Sequence, residues 1–138
     1  VSAYSSDSRD IEAAILGKFN DELPGAPKTD EEKATVTRHA QLAADILAYQ
    51  IKKYIGSYSA AMNGLDAIVF TAGIGENDIE LREKVCDNLG FMDLYIDKEK
   101  NNCRGKEVEI TGEGSKVRVF VIPTNEELVI AQDTVRLI

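Results

Sequence analysis

The pattern of apolar and polar positions changes period halfway along the chain. In the first half the period is helical. Ser5-Ser6-Asp7-Ser8 offers several N-cap oxygens, and Ile11, Ala14, Ile15 and Phe19 follow at helical spacing. Leu23-Pro24-Gly25-Ala26-Pro27 ends that predicted helix. Thr29 can cap the next one while Glu32 reaches back, which is a capping box. Behind it Val36, Ala40, Ala43, Leu47, Ile51, Tyr54, Tyr58 and Ala61 recur in steps of three or four. The spacing predicts one amphipathic helix of about 30 residues, roughly 45 Å long. Gly56 is expected to loosen its last turns.

In the second half the pattern becomes mixed. Asn63-Gly64 reads as a turn, and Leu65 to Thr71 is an apolar run of strand length without alternation, as expected of a strand covered on both faces. Gly73-Ile74-Gly75 breaks it. Asn77 with Glu80 is the next capping-box candidate, opening a helix to about Leu89 with Gly90 at its C′ position. Phe91 to Ile96 reads as a strand, and Asp97 to Lys106 as a polar loop carrying solvated charges at Lys98, Lys100, Arg104 and Lys106. Glu107–Thr111 and Lys116–Ile122 read as two strands around Gly112-Glu113-Gly114, the second alternating Val117, Val119, Val121. Pro123 ends it, and Thr124 with Glu127 caps a last helix carrying Leu128, Ala131 and Val135. Helices alternating with strands around a strand–glycine turn–helix unit predict the α/β class.

Composition narrows the possible functions. A chain of 138 residues with 43% hydrophobic and 29% charged residues can bury a core without a disulfide or metal staple, and is not of disordered type. The net charge of −8 opposes non-specific nucleic-acid binding, so no nucleic-acid partner is expected. It does not oppose a nucleotide, since one small anion needs only a local site of amides and cations. Cys86 and Cys103 form no C-x-x-C pair and read as free thiols of a reducing compartment. No apolar run approaches the length of a membrane span. The start, Val1-Ser2-Ala3-Tyr4, has neither a basic nor an apolar leader region and lacks an initiator Met, as expected of a trimmed product or a piece of something larger.

Candidate chemistry centres on Asp66 to Asn77, where a strand runs into a glycine turn that opens a helix. Ligands of open α/β sheets bind beyond the carboxyl ends of strands. Glycines there let backbone approach a ligand, whose phosphate or sugar then meets the amides of the first helical turn. The turn is not a Walker A loop, because no Gly-Lys-Ser/Thr follows. It is also a poor dinucleotide fingerprint, since Asp78 stands where Gly or Ala belongs, although Asp97 sits where a ribose-binding acid would.

The wording is more informative than the spacing. "SSDSRDIEAA" at 5–14, "KYIGSY" at 53–58, "DAIVFTAGIGEN" at 66–77 and "VIPTNEELVIAQDT" at 121–134 together resemble the acetate kinase family, in that family's order. The resemblance spans almost the whole chain but only the C-terminal third of the family's sequence. Propionate and butyrate kinases share much of this wording. The resemblance implies an actin/heat-shock chaperone/sugar-kinase-like (ribonuclease H-like) nucleotide-side lobe with a long amphipathic helix. Residues 1–125 would be the partial C-terminal nucleotide-binding lobe. Residues 126–138 would be a terminal helix that returns to an absent N-terminal lobe. It implies ATP-dependent phosphorylation of acetate to acetyl phosphate with ADP as product, reversibly, assisted by Mg²⁺, in a cytoplasmic homodimer.

The family's nucleotide contacts fall on Asp7, Ser8 and Arg9 and on Gly73, Ile74, Gly75, Glu76 and Asn77; its magnesium-site glutamate falls on Glu126. Each has a plainer reading. Arg9 is a planar cation that can stack on adenine, or a solvated first-turn charge. Asp7 is a helix cap that can also touch the nucleoside. Glu126 is a carboxylate favoured at a helix start by the dipole, or one of the few protein oxygens Mg²⁺ requires. His39 reads as a surface or satisfied histidine, and Tyr49, Tyr54 and Tyr58 as core or interface residues.

Phosphoryl transfer needs cations on the transferring group and a site for its acceptor. The family's amino-terminal phosphate lobe, catalytic arginines, active-site histidines and acidic residue have no match here, so no catalytic residue is assigned and the segment alone is expected to be inactive. Two other functions fit the same residues: a non-catalytic nucleotide-binding or dimerisation module of the same fold, and a dinucleotide-binding domain.

Overall fold

The computed structural model describes residues 4–137. Val1, Ser2 and Ala3, the start of the leader reading, and Ile138, the end of the 126–138 segment, lie outside the described residues. The chain divides into two units, residues 1–63 and 64–138.

The first unit is a pair of helices, α1 (Ser8–Ile15) and α2 (Asp30–Met62). Asp7 caps α1 by accepting from the Arg9 amide. The helix is shorter than the spacing predicts, because Gly17 takes a left-handed conformation (φ 72°) that L side chains avoid. Phe19 still reaches the core, as an edge-on partner of Tyr4 at 6.2 Å. Tyr4, Ala14 and Ala40 form its buried centre, with Ile11, Ile15, Phe19, Leu23 and Val36 packed around them. The Thr37 hydroxyl donates to the Ala14 carbonyl at 2.9 Å, tying α2 to the last turn of α1.

The predicted long helix is present with both ends as expected. Its 33 residues give about 50 Å of length. The Thr29 hydroxyl accepts from the Glu32 amide at 3.2 Å while the Glu32 carboxylate accepts from the Thr29 amide at 3.0 Å. Bonds from the Lys28 and Thr29 amides hold the Glu32 carboxyl below the usual carboxylate range. Asn63, in the left-handed region, closes the other end. Gly56 does not loosen the last turns: the helix runs through it to Met62. Cover of the apolar stripe is incomplete: Leu47, Tyr54 and Tyr58 are exposed while Ile51 is half-buried, and Tyr49 and Met62 are exposed too. His39 is exposed too.

The second unit is built on a three-stranded sheet of order β1-β3-β2. Strand β1 (Ala67–Phe70) pairs in parallel with β3 (Arg118–Val121), Phe70 lying opposite Val121. Strand β2 (Val108–Glu109) pairs antiparallel with β3, as expected of the two strands flanking residues 112–114. Val117, Val119 and Val121 are all buried, so the predicted alternation of that strand holds. The β1–β3 crossover carries α3 (Ala72–Asn77), α4 (Ile79–Cys86), a 3₁₀ turn (Gly90–Met92) and α5 (Lys98–Asn101); α6 (Glu126–Leu137) ends the chain. Buried side chains come from α4 (Leu81, Val85, Cys86), the turns after it (Leu89, Leu94), the β2–β3 segment (Ile110) and Phe70.

Several expectations are corrected here. Strand β1 is not covered on both faces: Ala67 and Val69, on one face, are exposed (Val69 by 49%), whereas Phe70, on the other, is buried. The 91–96 segment is not a strand. Asp93 turns the chain in the left-handed region (φ 55°), and its carbonyl accepts from Lys116 N at 2.8 Å and the Ser115 hydroxyl at 3.0 Å. Only Ile96 keeps a bridge, to Thr111. Gly90 is not the C′ residue of α4. The helix ends earlier, and Asn88 takes the left-handed position (φ 60°), a role Asn fills where Gly is absent. The polar loop after Asp97 contains a short helix, because the Asp97 carboxylate accepts from the Glu99 and Lys100 amides at 2.9 and 3.1 Å. Asp97 is thus a helix cap, with its pKa lowered by the bond from Lys100 N.

Candidate functional site

The predicted glycine turn is itself helical. The chain leaves β1 at Ala72, which takes a left-handed φ of 58°, and residues 72–77 coil into α3. Asn77 does not cap the next helix. Its side-chain amide donates back to the Gly73 carbonyl at 2.9 Å, and Asp78 caps α4 instead by accepting from Leu81 N at 2.8 Å. The two glycines do different work. A Cβ on Gly75 would sit 3.1 Å from the Phe70 carbonyl carbon, so this position needs a bare backbone to lie against β1. A Cβ on Gly73 would meet nothing within 4 Å, and Thr71, Ala72, Gly73 and Ile74 are exposed.

Arg82 holds this short helix from below, with its side chain fully buried (0% exposed). Its guanidinium donates to the Gly75 carbonyl (2.8 Å), to the side-chain and backbone oxygens of Asn101 (2.7 and 2.9 Å) and to the Cys103 carbonyl (2.7 Å). Asn101, also buried, passes the support on by donating to the Ile79 carbonyl at 3.1 Å. Burial pushes the Arg82 pKa down. The close acceptors are neutral oxygens, with the Cys103 sulfur at 3.9 Å, so dipoles in fixed geometry meet the guanidinium's donors. Sequence reasoning missed Arg82. A signal existed: Arg82, Val85, Cys86 and Leu89 share one apolar helical stripe by spacing.

Glu76 joins the helix to a third segment. Its carboxylate accepts from the Thr124 amide at 2.6 Å and from the Thr124 hydroxyl at 3.1 Å. Its carbonyl accepts from the Gly105 amide at 3.2 Å. Contrary to expectation, Thr124 is not the cap of α6, which begins at Glu126. Asn125, next to the helix start, accepts from Leu128 N at 3.3 Å. Glu126 is the first residue of α6 and is exposed. Thus Gly73, Ile74, Gly75, Glu76 and Asn77 share one short helix, and Glu76 brings the segment before Glu126 up to it. Among the described residues no group of three or more His, Cys, Asp or Glu side chains could hold a metal.

Asp7, Ser8 and Arg9 form the start of α1 in the first unit. Asp7 and Arg9 make a two-point ion pair, Nε to Oδ1 at 3.1 Å and Nη2 to Oδ2 at 2.6 Å, with the Arg9 side chain exposed. The Arg9 side-chain bond, aided by its amide, draws the Asp7 pKa down to about 2. Away from these residues, a cleft of about 680 Å³ between α4 and the 94–98 segment is lined by residues that include Cys86, Leu94 and Tyr95.

Two expected outcomes follow from this geometry. Arg82→Met leaves the Gly75, Asn101 and Cys103 oxygens without donors and is expected to destabilise the second unit by roughly 3 kcal/mol. Urea unfolding followed through the α4 and β3 amides measures it; a change below about 1 kcal/mol contradicts the clamp. Asp7 has a folded-state pKa of about 2, below its unfolded value near 3.9. Its contribution to α1 is therefore present above about pH 4 and lost as pH falls through about 2. The Arg9 amide resonance should titrate with a midpoint near pH 2 and lose that titration in Asp7→Asn. A midpoint near 4 removes the bidentate pair.

Comparison with known proteins gives a consistent result. Residues 24–132 match the model of the acetokinase family. The chain is 49% identical over 138 residues to acetate kinase of Halothermothrix orenii, and 52% identical over 137 residues to acetate kinase of Shouchella clausii. These alignments cover 100% and 99% of the chain, respectively, but 30% of each relative. Among solved structures, acetate kinase of Porphyromonas gingivalis superposes with a TM-score of 0.77 at 43% identity, over 99% of this chain and 30% of that one. Propionate kinase of Francisella tularensis superposes with 0.65 at 33% identity, over 91% of this chain and 27% of that one. The chain thus spans about 30% of the length of the curated relatives it matches. The wording of its four sequence blocks, its mixed α/β fold with one long helix, and these matches agree: the chain belongs to the acetokinase family.

Proposed function

We propose that this chain is the nucleotide-side segment of an acetate kinase that moves the γ-phosphoryl group of ATP to acetate, giving acetyl phosphate and ADP, and the reverse. In this reading Gly73, Ile74, Gly75 and Asn77 contact the adenosine end of ATP, and Glu76, assigned to the nucleotide on the resemblance, lies in the same short helix with its carboxylate turned to Thr124. Asp7, Ser8 and Arg9 are assigned to the nucleotide on the resemblance, and Glu126 to Mg²⁺. Residues 1–125 form part of a ribonuclease H-like lobe, and 126–138 return to a lobe outside this sequence. The assembled enzyme is a cytoplasmic homodimer.

The observation that carries this reading is the Glu76–Thr124 hydrogen bond at 2.6 Å, which joins the glycine-bearing helix to the segment that opens on Glu126. The residues suit the proposed ligands. Gly73 leaves its face of α3 free of side chain, so a sugar or phosphate can approach backbone. Glu126 is one exposed carboxylate, too little for a protein cage but enough for Mg²⁺ that arrives on phosphates and keeps water ligands. Bound Mg²⁺ would supply charge neutralisation on the phosphates. This chain's own part is to fix where the nucleotide lies and to hold Glu126 beside it.

The dinucleotide reading loses its ribose acid, because the Asp97 carboxylate is engaged in capping α5. The exposed apolar side chains of α2 and α6, among them Tyr54, Tyr58, Leu128 and Ile130, are surfaces that the remaining lobe and a second copy would cover. No described helix is long and apolar enough to cross a membrane.

The chain is expected to bind ATP without turning over. Saturating ATP with Mg²⁺ should raise its melting temperature, by the equivalent of about 2.7 kcal/mol at 100 times the Kd, and NADH should not. Trapping with hydroxylamine should detect no acetyl phosphate. Protection by NADH alone, or robust acetyl phosphate formation, refutes the respective part. Light scattering should show a dimer at high concentration; a monomer there removes the homodimer assignment from this segment.

A further inference from the structure

We propose that Glu76 is a positioning residue, whose carboxylate holds the 124–126 segment, and with it Glu126, in register with the 72–77 helix, and does not itself touch the nucleotide. This rests on the reading of the 73–77 segment as the nucleotide site.

The path of the chain makes the case. Ile122 N donates to the Phe70 carbonyl at 2.9 Å, at the end of the β1–β3 ladder. Pro123 has no amide to donate. Thr124 N is the next donor, and it points at Glu76 rather than at the sheet. Asn125 then caps α6 and Glu126 begins it. The place where α6 starts is therefore set by one carboxylate 48 residues earlier in the chain.

Charge argues the same way. An unpaired carboxylate beside bound ATP would repel its phosphates, and like-charge contacts are costly. Here one carboxylate oxygen takes both Thr124 donors, in a charge-assisted bond stronger than an amide–amide one. The backbone of the same residue is held by Gly105, and that of its neighbour Gly75 by Arg82, so Glu76 has a fixed base from which to hold Thr124. Glu76 thus links the two parts of the proposed site: the backbone assigned to the nucleotide, and the acid assigned to Mg²⁺. Moving α6 by the length of one lost hydrogen bond would carry Glu126 away from the phosphates of an ATP whose adenosine end lies at the helix.

The test compares the whole chain with its Glu76→Ala and Glu76→Gln variants. Two readouts are used: amide resonances, and ATP affinity measured by calorimetry with Mg²⁺ and with EDTA. In Glu76→Ala the Thr124 and Glu126 amides should shift strongly while that of Val119, in the sheet, stays in place. Affinity for ATP in EDTA should be unchanged, and the gain in affinity on adding Mg²⁺ should fall roughly fivefold, the worth of about one hydrogen bond. Glu76→Gln keeps an acceptor oxygen and should restore most of both. Equal loss of affinity with and without Mg²⁺ in Glu76→Ala would make Glu76 a direct nucleotide contact and overturn the proposal. So would a Thr124 amide that ignores the substitution. A wild-type chain that binds no ATP under either condition overturns the nucleotide reading itself. The resonances of Thr124 and Glu126 in the variants then still decide whether Glu76 sets the start of α6.

Discussion

A guanidinium removed from water is the constraint on which the second unit depends. Burying a charge is costly unless its donors are met, and the Arg82 side chain is fully buried. Its donors are met by Gly75, Asn101 and Cys103, oxygens that belong to two stretches of chain with no local reason to meet. The planar fork accepts little deviation, so satisfying it fixes the 101–103 turn against the base of α3. A lysine would bring three donors on a flexible stem and could not span the same acceptors. The cost of burial is thereby converted into a defined position for a six-residue helix that is too short to be stable on its own.

That position gives the helix two different faces. Toward the sheet, Gly75 lies so close to Phe70 that a Cβ would sit 3.1 Å from the Phe70 carbonyl carbon, tighter than ordinary contact. Away from it, Gly73 and Ile74 are open, and the Asn77 amide closes the helix end on the Gly73 carbonyl. The strain of Ala72 in the left-handed region, on the order of 1 kcal/mol, is the cost of turning from strand to helix within one residue. Glu76 then extends the rigid element to Thr124. Strand end, short helix and the start of α6 form one connected polar network.

The first unit is organised differently. Among its described residues no charged side chain is buried. Its centre is a small apolar cluster around Tyr4, Ala14 and Ala40, and its long helix is maintained largely by its own ends and by α1. Ala48 is its last buried residue, while the helix continues to Met62 with tyrosines on its surface. In a chain that spans about 30% of its relatives' length, apolar stripes without cover accord with a segment whose packing partners lie elsewhere in the intact family fold.

What could be read directly from the sequence were the features whose causes lie within three or four residues of one another. The ends of α2 are of this kind: Thr29 and Glu32 satisfy each other, and Asn63 accepts the left-handed turn. The alternation of Val117, Val119 and Val121 marked a buried strand face, and Asp7 marked the start of α1. The wording of residues 66–77 and 121–134 marked the family. What only the tertiary structure decided were the positions whose partners lie far along the chain. Residues 91–96 turn because Asp93 serves the 115–117 segment; Thr124 is tied by its amide and hydroxyl to Glu76, leaving Asn125 to cap α6; Arg82 is buried because residues 101–103 receive it. The physical reason is common to all three. A hydrogen bond between near neighbours is encoded by spacing, whereas one that closes a long loop exists only once packing has offset the entropy of bringing its ends together.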